Sequence, residues 1–373
     1  MIIGIPKEIK NHEYRVGMMP SSVHEMVAHG HKVLVQSNAG VGIGASDDDY
    51  QKVGAKIIEE VCDIFARAEM IVKVKEPQTV ERAMLREGQI LFTYLHLAPD
   101  PEQTKDLVES GAICIAYETI TSPLGGLPLL APMSKVAGRL AVQAGAHCLE
   151  QPQGGLGMLL GGVPGVAPAK VVILGAGIVG THAAHIAVGM GADTWVLDNN
   201  PESLERHWRQ FGDSTNSIFS NKNALEQHIL DADLVIGGVL IPGAEAPKLV
   251  SREMISKMKK GAVVVDVAID QGGCFETSHA TTHAKPTFMV NDVVHYCVAN
   301  MPGAVPKTST YALNNVTLPY ALNIANKGVT QALLDDPHLC NGLNVCRGKV
   351  TYKEVAKELG YDYVPAQEVL KEA

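Results

Sequence analysis

A glycine-rich turn between an apolar run and a helix-forming run most constrains the fold of this chain. Residues 171–180 have the sequence VVILGAGIVG, in which a strand leads directly into G-x-G-x-x-G. In this setting Gly175 permits the tight turn, Gly177 lets the backbone approach a pyrophosphate, and Gly180 lets the helix pack on the strand. The following helix adds free N–H donors and a positive dipole end. The motif predicts a Rossmann-type unit that binds a dinucleotide, with a turn used only for packing as the alternative.

An acidic residue follows the glycines at the spacing expected of such a unit. Asp198 ends the next apolar strand, about 20 residues further along the chain. A carboxylate there accepts hydrogen bonds from the adenosine ribose hydroxyls and repels a 2′-phosphate. The sequence therefore favours NAD over NADP.

Two series of alternating strands and helices predict the rest of the architecture. A long helix that begins at an N-cap, Ser134, links them, and residues 311–328 form a helix that Pro319 bends or interrupts. Strands separated by helix-length segments are typical of parallel βαβ units. We expect an α/β protein with two Rossmann-like domains built on parallel sheets. The predicted strands are 2–5, 32–36, 70–75, 89–95 and 112–117, then 170–174, 193–197, 233–239 and 262–267, and further helices are 21–29, 47–53, 101–110 and 352–359.

Composition limits the class of protein. The chain has 373 residues, 46% of them hydrophobic, and a formal net charge of −9, which suits two soluble domains and argues against a nucleic-acid groove. Its seven cysteines are dispersed without a C-x-x-C pair, so neither a disulfide scaffold nor a zinc site is expected. No metal-ligand spacing, signal peptide or membrane-spanning segment is apparent, and we expect a cytoplasmic protein without a metal.

Polar residues that follow predicted strands are the candidates for chemistry, because ligands of open α/β sheets bind beyond the carboxyl ends of the strands. His96 suits proton exchange, although a structural histidine is the alternative. Lys75 could pair with a carboxylate or polarise a carbonyl; alternatively, Lys73 and Lys75 form a solvated strand face. Asp270 is better placed than Asp266, which could merely bond local backbone.

Eight segments spread over nearly the whole chain resemble the L-alanine dehydrogenase family. The resemblance implies reversible NAD-dependent oxidative deamination of L-alanine to pyruvate and ammonia, catalysed by a homohexamer. It also implies that residues 129–306 form an NAD-binding domain inserted into a discontinuous substrate domain, residues 1–128 plus 307–373. The segments are GIPKE at 4–8, EYRV at 13–16, KEP at 75–77, YLHLA at 94–98, residues 174–180, residues 266–277, VHYCVANMPGAVP at 294–306 and TLPYA at 317–321.

The same resemblance assigns roles residue by residue. His96 and Asp270 would be the catalytic pair, and Arg15 and Lys75 would bind the substrate. Taken alone, Arg15 would be read as a surface residue, so its role rests on the resemblance. The residues expected to contact NAD are Ser134, Gly175, Gly177, Ile178, Val179, Gly180, Asp198, Ser203, Ser220, Val239, Leu240, Val267, Ala268, Ile269, Asp270, His279, Val298, Ala299, Asn300 and Met301.

The chain departs from the family pattern at three places. Ser203 stands where the family usually has a basic residue and His279 where it usually has Arg. Two outcomes are open: weaker NAD binding, by about 0–1 kcal/mol for each lost contact, or a relaxed preference among adenosine groups. The loop 147–155 also differs from its usual basic, glycine-bearing version. Three alternative functions remain open: another amino-acid or opine-type dehydrogenase, a relative of the nucleotide-binding part of transhydrogenase, and a catalytically silent NAD-binding regulator.

Overall fold

The computed structural model describes residues 1–239 and 246–371, which fold as two compact units. One unit comprises Met1–Met133 together with Val305–Ala373, and the other comprises Ser134–Ala304. The second unit is therefore a single continuous segment placed within the sequence of the first. The assignment of these units to substrate and NAD binding remains a prediction.

The strands of the described residues are short and mostly buried. In chain order they are β1 Ile2–Ile5, β2 Lys32–Gln36, β3 Lys56–Ile58, β4 Met70–Val72, β5 Ile90–Thr93, β6 Ile113–Ala116, β7 Lys170–Leu174, β8 Asp193–Asp198, β9 Asn216–Phe219, β10 Leu234–Gly237, β11 Val263–Asp266, β12 Thr287–Val290, β13 Val293–Tyr296, β14 Leu343–Cys346 and β15 Lys349–Val350.

Helices separate most of these strands, as the crossovers of parallel sheets require. They are α1 Pro20–Ala28, α2 Asp47–Lys52, α3 Val61–Arg67, α4 Thr79–Arg82, α5 Pro101–Ser110, α6 Ala131–Cys148, α7 Ile178–Gly189, α8 Pro201–Phe211, α9 Lys222–Leu230, α10 Arg252–Lys257, α11 Pro306–Lys327, α12 Val329–Asp335, α13 Pro337–Cys340, α14 Lys353–Leu359 and α15 Ala366–Lys371.

The first unit is built on one eight-stranded sheet in the order β15-β14-β6-β5-β4-β1-β2-β3. The strands from β6 to β3 are parallel, and their carboxyl ends therefore share one edge. Residues Ile64, Phe65, Leu91 and Leu107 are completely buried in the core on one face of this sheet. The fold thus supports several loops at a common edge on a rigid base.

The second unit is built on a seven-stranded sheet in the order β12-β13-β11-β10-β7-β8-β9. All neighbouring strands are parallel except β12 and β13. The chain switches direction across the sheet between β7 and β10, because β8 lies on the other side of β7. This switch point is where open α/β sheets bind ligands.

Both sheets are mostly parallel, as predicted, but antiparallel edge strands were missed. β12 and β13 are joined by Asn291 and Asp292, both with positive φ, and β14 and β15 by Arg347 and Gly348, also both with positive φ. Two consecutive positive φ values are the geometry of a type I′ hairpin turn. Neither turn has the usual Asn-Gly or Asp-Gly sequence, so the signal in the sequence is weak.

Several predicted element boundaries were wrong. The helix α6 begins at Ala131, so Ser134 lies in its first turn and is not the N-cap; Pro132 suits a first turn because it needs no N–H partner there. Pro319 does not interrupt α11, which is continuous from Pro306 to Lys327. β4 ends at Val72 and β5 at Thr93, which places Lys75 and His96 in the loops beyond them. Strands β3 and β9 were not predicted.

Candidate active site

The glycine turn of the second unit has the geometry that its sequence predicts. Gly175 has a φ of 100°, a value that side chains rarely allow. A Cβ on Gly180 would overlap the carbonyl oxygen of Gly175, so close packing of α7 on β7 requires glycine. A Cβ on Gly177 would meet no atom within 4 Å, so the space beside that backbone is open. The turn therefore leaves room next to the N-terminus of α7.

Asp198, at the end of β8, is hydrogen-bonded to the glycine turn. Its Oδ2 accepts from the Ala176 N–H at 2.6 Å, and its Oδ1 accepts from the Asn200 N–H at 2.8 Å. Ser220, which follows β9, donates its backbone N–H to the carbonyl oxygen of Asp198 at 2.9 Å. These contacts join the glycine turn, through Ala176, to two of the predicted NAD residues, Asp198 and Ser220, at adjacent strand ends.

Most of the other predicted NAD residues also follow strands of this sheet. Val239 follows β10 and lies 3.2 Å from the position of a Cβ on Gly175. Residues 267–270 follow β11, and residues 298–301 come after β13. Because these strands are parallel, their ends share the edge that carries the glycine turn. Leu240 lies outside the described residues.

Three predicted NAD residues, Ser134, Ser203 and His279, come from other elements of the second unit. Ser134 lies one turn before Gly138, and a Cβ on Gly138 would overlap the carbonyl oxygen of Val179 in α7. Gly138 therefore packs directly against the start of α7, one turn after Ser134.

Ser203 and His279 are each engaged by a neighbouring side chain. Ser203, which is 8% exposed, accepts a hydrogen bond from Arg206 Nη2 at 2.9 Å. His279 is exposed and stacks on Phe288, with ring centroids 3.7 Å apart.

The two carboxylates near β11 have different environments. Asp266 is fully buried; it accepts hydrogen bonds from the backbone N–H groups of Cys274 and Phe275 and, at 2.6 Å, from Ser278 Oγ. Burial raises the pKa of this carboxyl, although these donors oppose the shift. Asp270 is exposed in a short 3₁₀ turn. Asp266 thus orders a loop, and Asp270 is the carboxylate accessible to a ligand.

In the first unit, the predicted substrate residues lie on loops that follow three neighbouring strands. Arg15 is in the loop after β1, Lys75 follows β4 and His96 follows β5. The sheet order β5-β4-β1 makes these strands adjacent and parallel. The loops therefore leave the same edge of the sheet, as expected for a ligand site.

Arg15 is a buried guanidinium fixed by a carboxylate. Its Nε and Nη2 donate to Glu13 Oε1 and Oε2 at 2.7 and 2.5 Å, and its Nη1 donates to Met133 Sδ at 3.1 Å. The side chain is 2% exposed. Burial alone would lower the pKa of Arg15, but the Glu13 carboxylate raises it, so the cation persists. The prediction from local sequence that Arg15 is a surface residue was wrong.

Lys75 is half-buried in a loop anchored on several sides. Its carbonyl oxygen accepts a hydrogen bond from Thr93 Oγ1 at 3.0 Å. The next residue, Glu76, has a lowered pKa: burial would raise it, but the ammonium groups of Lys75 and Lys10 lower it. Lys73 is completely buried, so the alternative of a solvated strand face was wrong for that residue.

His96 has a backbone conformation held by a neighbouring carboxylate. Its φ is 50°, and Glu118 Oε1 accepts its backbone N–H at 2.6 Å. The imidazole side chain is 47% exposed, its Nδ1 lies 3.8 Å from Glu118 Oε1, and its ring stacks on Tyr94 with centroids 5.9 Å apart. The accessible ring and ordered backbone suit proton transfer better than a role in the core.

Sequence reasoning missed the side chains that hold these groups. Glu13 was noticed only as part of a motif, and Tyr94 donates its buried hydroxyl to the Leu129 carbonyl oxygen at 2.6 Å. Glu118 follows β6, the strand next to β5. The rule that selected His96, a polar residue just after a strand of the sheet, also selects Glu118 and could have found it.

The residues of the second unit fit a dinucleotide. A Cβ on Gly177 would meet no atom within 4 Å, so the space beside the start of α7 is open. The Asp198 carboxylate lies at the end of the next strand. A pyrophosphate and a ribose need these two features. Among the described residues no group of His, Cys, Asp or Glu could hold a metal ion, and no helix there is long and apolar enough to cross a membrane.

Comparison with known proteins identifies the family. Residues 4–137 match the model for the alanine dehydrogenase/PNT N-terminal domain, and residues 141–353 match that for the C-terminal domain. The chain belongs to the alanine dehydrogenase/PNT family. Members of this family are oxidoreductases dependent on a pyridine nucleotide, so the chain is an enzyme of that kind.

Individual members of the alanine dehydrogenase/PNT family match along their whole length. An alanine dehydrogenase from Halomonas elongata is 57% identical, with 99% of this chain and 100% of that protein covered. A solved L-alanine dehydrogenase is 51% identical with a TM-score of 0.94, covering 96% of this chain and 99% of that one. A transhydrogenase structure from Sinorhizobium meliloti is 26% identical with a TM-score of 0.82, covering 94% and 100%. These matches support the dehydrogenase prediction over the silent regulator.

Proposed function

We propose that this protein catalyses the reversible, NAD-dependent oxidation of L-alanine to pyruvate and ammonia. The observation that carries the proposal is the buried Arg15 guanidinium, fixed by Glu13 in a loop at the sheet edge that also bears Lys75 and His96. A preoriented cation of this kind suits a small carboxylate substrate. The full-length relatives named alanine dehydrogenase favour L-alanine among such substrates.

Arg15 and Lys75 are proposed to bind the substrate. The substrate carboxylate would bind the Arg15 guanidinium, which Glu13 orients through Nε and Nη2. Lys75 would donate to the oxygen on the α carbon of pyruvate. The two contacts together would fix the orientation of the α carbon, which lowers the entropic cost of reaching the transition state.

His96 and Asp270 are proposed to handle protons and water. His96 would take a proton from the water that attacks the substrate imine and return one later, while Lys75 supports the developing charge on oxygen. Asp270 would hydrogen-bond the departing nitrogen. A bound nicotinamide would supply the acceptor for the hydride of the substrate α carbon.

The cofactor is proposed to be NAD, held by the strand ends of the second unit. The backbone of residues 175–180 would bind the pyrophosphate, and Asp198 would bind the adenosine ribose. Ser220, Val239 and residues 298–301 would complete the site. The Asp198 carboxylate already accepts hydrogen bonds from two backbone N–H groups, and its negative charge would repel the 2′-phosphate of NADP.

The test is NADH formation, followed by ultraviolet absorbance, with NAD or NADP and a panel of L-alanine, other small L-amino acids and 2-hydroxy acids. A rate largely confined to L-alanine with NAD is expected. A faster rate with a different amino acid would identify that amino acid, instead of L-alanine, as the substrate. No turnover with any substrate, despite measured NAD binding, would favour the silent regulator.

The family resemblance also leads us to propose a homohexamer that works in the cytoplasm. Light scattering coupled to size-exclusion chromatography measures the mass of the assembly and hence the number of chains in it. A mass of one or two chains at micromolar concentration would contradict the hexamer. Fractionation of the native cells tests the location.

A further inference from the structure

A buried group of three charges lies directly beneath the loop that carries Lys75. Lys73 Nζ lies 2.7 Å from Glu81 Oε1 and 3.1 Å from Glu8 Oε2. The Lys73 side chain is 0% exposed, and each glutamate side chain is 2% exposed. We refer to Glu8, Lys73 and Glu81 as the buried triad. None of its members has a role in the chemistry proposed above.

Each carboxylate of the buried triad also holds the backbone on one side of Lys75. Glu8 Oε1 accepts the Val74 N–H at 2.6 Å, and Glu81 Oε2 accepts the Gln78 N–H at 2.8 Å. Lys73 Nζ joins the remaining oxygens of the two glutamates. The loop from Val74 to Gln78 is therefore fixed at both ends through one ammonium group.

Further contacts hold the same short loop. The Tyr117 hydroxyl donates to the Lys73 carbonyl oxygen at 3.1 Å, and Lys10 pairs with Glu76. Together with the Thr93 bond to Lys75, these contacts leave the loop backbone little freedom. The Lys75 side chain is thereby projected from a rigid base.

Stability alone does not account for the buried triad. Replacing a buried ion pair by apolar residues of similar volume is often neutral or stabilising. The preceding residues of β4 are all apolar and buried, so an apolar side chain at position 73 would continue that pattern. Two carboxylates meet one ammonium here, and burial raises the pKa of Glu8 even though Lys73 opposes the shift. Apolar residues in place of the two glutamates would leave the Val74 and Gln78 N–H groups without these acceptors, so the buried triad is tied to the loop backbone.

We propose that Lys73 is a positioning residue, which acts through Glu8 and Glu81 to fix the loop backbone and so the position of the Lys75 ammonium on the substrate. This inference rests on the proposed function, because it assumes that Lys75 binds the substrate. It does not involve the nucleotide site, which lies in the other unit.

The main test is Lys73→Met in the full-length enzyme. We expect the KM for L-alanine and for pyruvate to rise and kcat to fall, with kcat/KM reduced about 10²-fold, since a misplacement of about 1 Å costs that much. The KM for NAD should stay within about twofold. Lys73→Arg, which restores a cation between the two glutamates, should recover most of the loss.

A matched control separates positioning from general destabilisation. Gln89 is 1% exposed and donates to the Phe65 and Ala68 carbonyl oxygens at the opposite end of β5. Gln89→Leu should lower the unfolding temperature but leave the KM for L-alanine unchanged. An equal rise of that KM in Gln89→Leu and Lys73→Met would overturn the proposal.

A second variant covers the possibility that Lys73→Met does not fold. Glu81→Met leaves Lys73 and Glu8 as a balanced pair but removes the acceptor of the Gln78 N–H. Like Lys73→Met, it should raise the KM for L-alanine. Wild-type kcat and KM in the folded variants would refute the positioning role, whereas a wild-type enzyme without activity on L-alanine would refute the proposed function instead.

Discussion

At the scale of the residue, two glycines of one turn are required for different physical reasons. Gly180 is required by packing, because a Cβ there would overlap the carbonyl oxygen of Gly175. Gly177 has open space beside it, so the apo protein has no need of glycine at that position. We predict that glycine is required there only to admit a pyrophosphate.

Alanine substitutions distinguish these two requirements. We predict that Gly180→Ala destabilises the protein by about 1–3 kcal/mol, as overpacking does. Gly177→Ala should leave the unfolding temperature of the apo protein unchanged but weaken NAD binding, because its methyl group fills the space for the phosphate. Thermal unfolding and calorimetric titration with NAD measure the two effects. Unaltered NAD affinity in Gly177→Ala would contradict the assignment.

His96 is the residue on which the proposed proton transfers depend. His96→Ala should lower turnover by about 10²–10⁴-fold, the usual contribution of a general acid or base. The matched control is His24→Ala, which removes an exposed histidine from α1. Steady-state NADH formation measures both, and turnover within threefold of wild type in His96→Ala would remove His96 from the mechanism.

At the scale of the element, the close approach of α6 and α7 depends on one small residue. Gly138 of α6 leaves no room for a Cβ against the Val179 carbonyl oxygen. Ser134 lies one turn before this contact, so its predicted place near the start of α7 depends on helix packing rather than on capping.

A pair of glycine substitutions tests this packing. Gly138→Ala should lower the free energy of unfolding by about 1–3 kcal/mol because α6 must move away from α7. Gly189→Ala, also in a helix but with no atom near its Cβ position, should instead stabilise the protein by up to about 1 kcal/mol. Urea unfolding measures both changes. Equal effects of the two substitutions would mean that helix propensity, and not packing, determines the change in the free energy of unfolding.

Elements also show where sequence reasoning succeeds. Strands β1 and β2 and helix α5 have the predicted bounds, because apolar runs or clear caps delimit them. The edge strands β9 and β12 have only four residues each and are partly exposed, so no long buried apolar run marks them, and they were missed. The loops of the candidate site could be located because strand ends mark them. The position of Glu118 after β6 could be located in the same way, but its hydrogen bond to the His96 N–H could not, since that bond joins two loops 22 residues apart.

At the scale of the whole molecule, the division into two units predicts where a cofactor acts. NAD alone should stabilise the second unit, by about 2.7 kcal/mol when its free concentration is 100 times Kd. Hydrogen exchange followed by mass spectrometry should slow in peptides that cover residues 174–180 and 196–203. Peptides that cover β1 and β2 should not change. Uniform protection of both units would contradict NAD binding confined to the second.

The interrupted sequence of the first unit has a consequence for synthesis on the ribosome. β6 pairs with β14 at one side of the sheet, yet all of Ser134–Ala304 is translated between them. At about 5–20 residues per second, the interval between the synthesis of β6 and that of β14 lasts about 10–45 s. The second unit can fold as it emerges from the ribosome. During that time the β14 side of β6 has unpaired backbone groups, which can act as a template for association with other nascent chains. Recruitment of chaperones is therefore expected to begin once β6 emerges and to end when β14 docks.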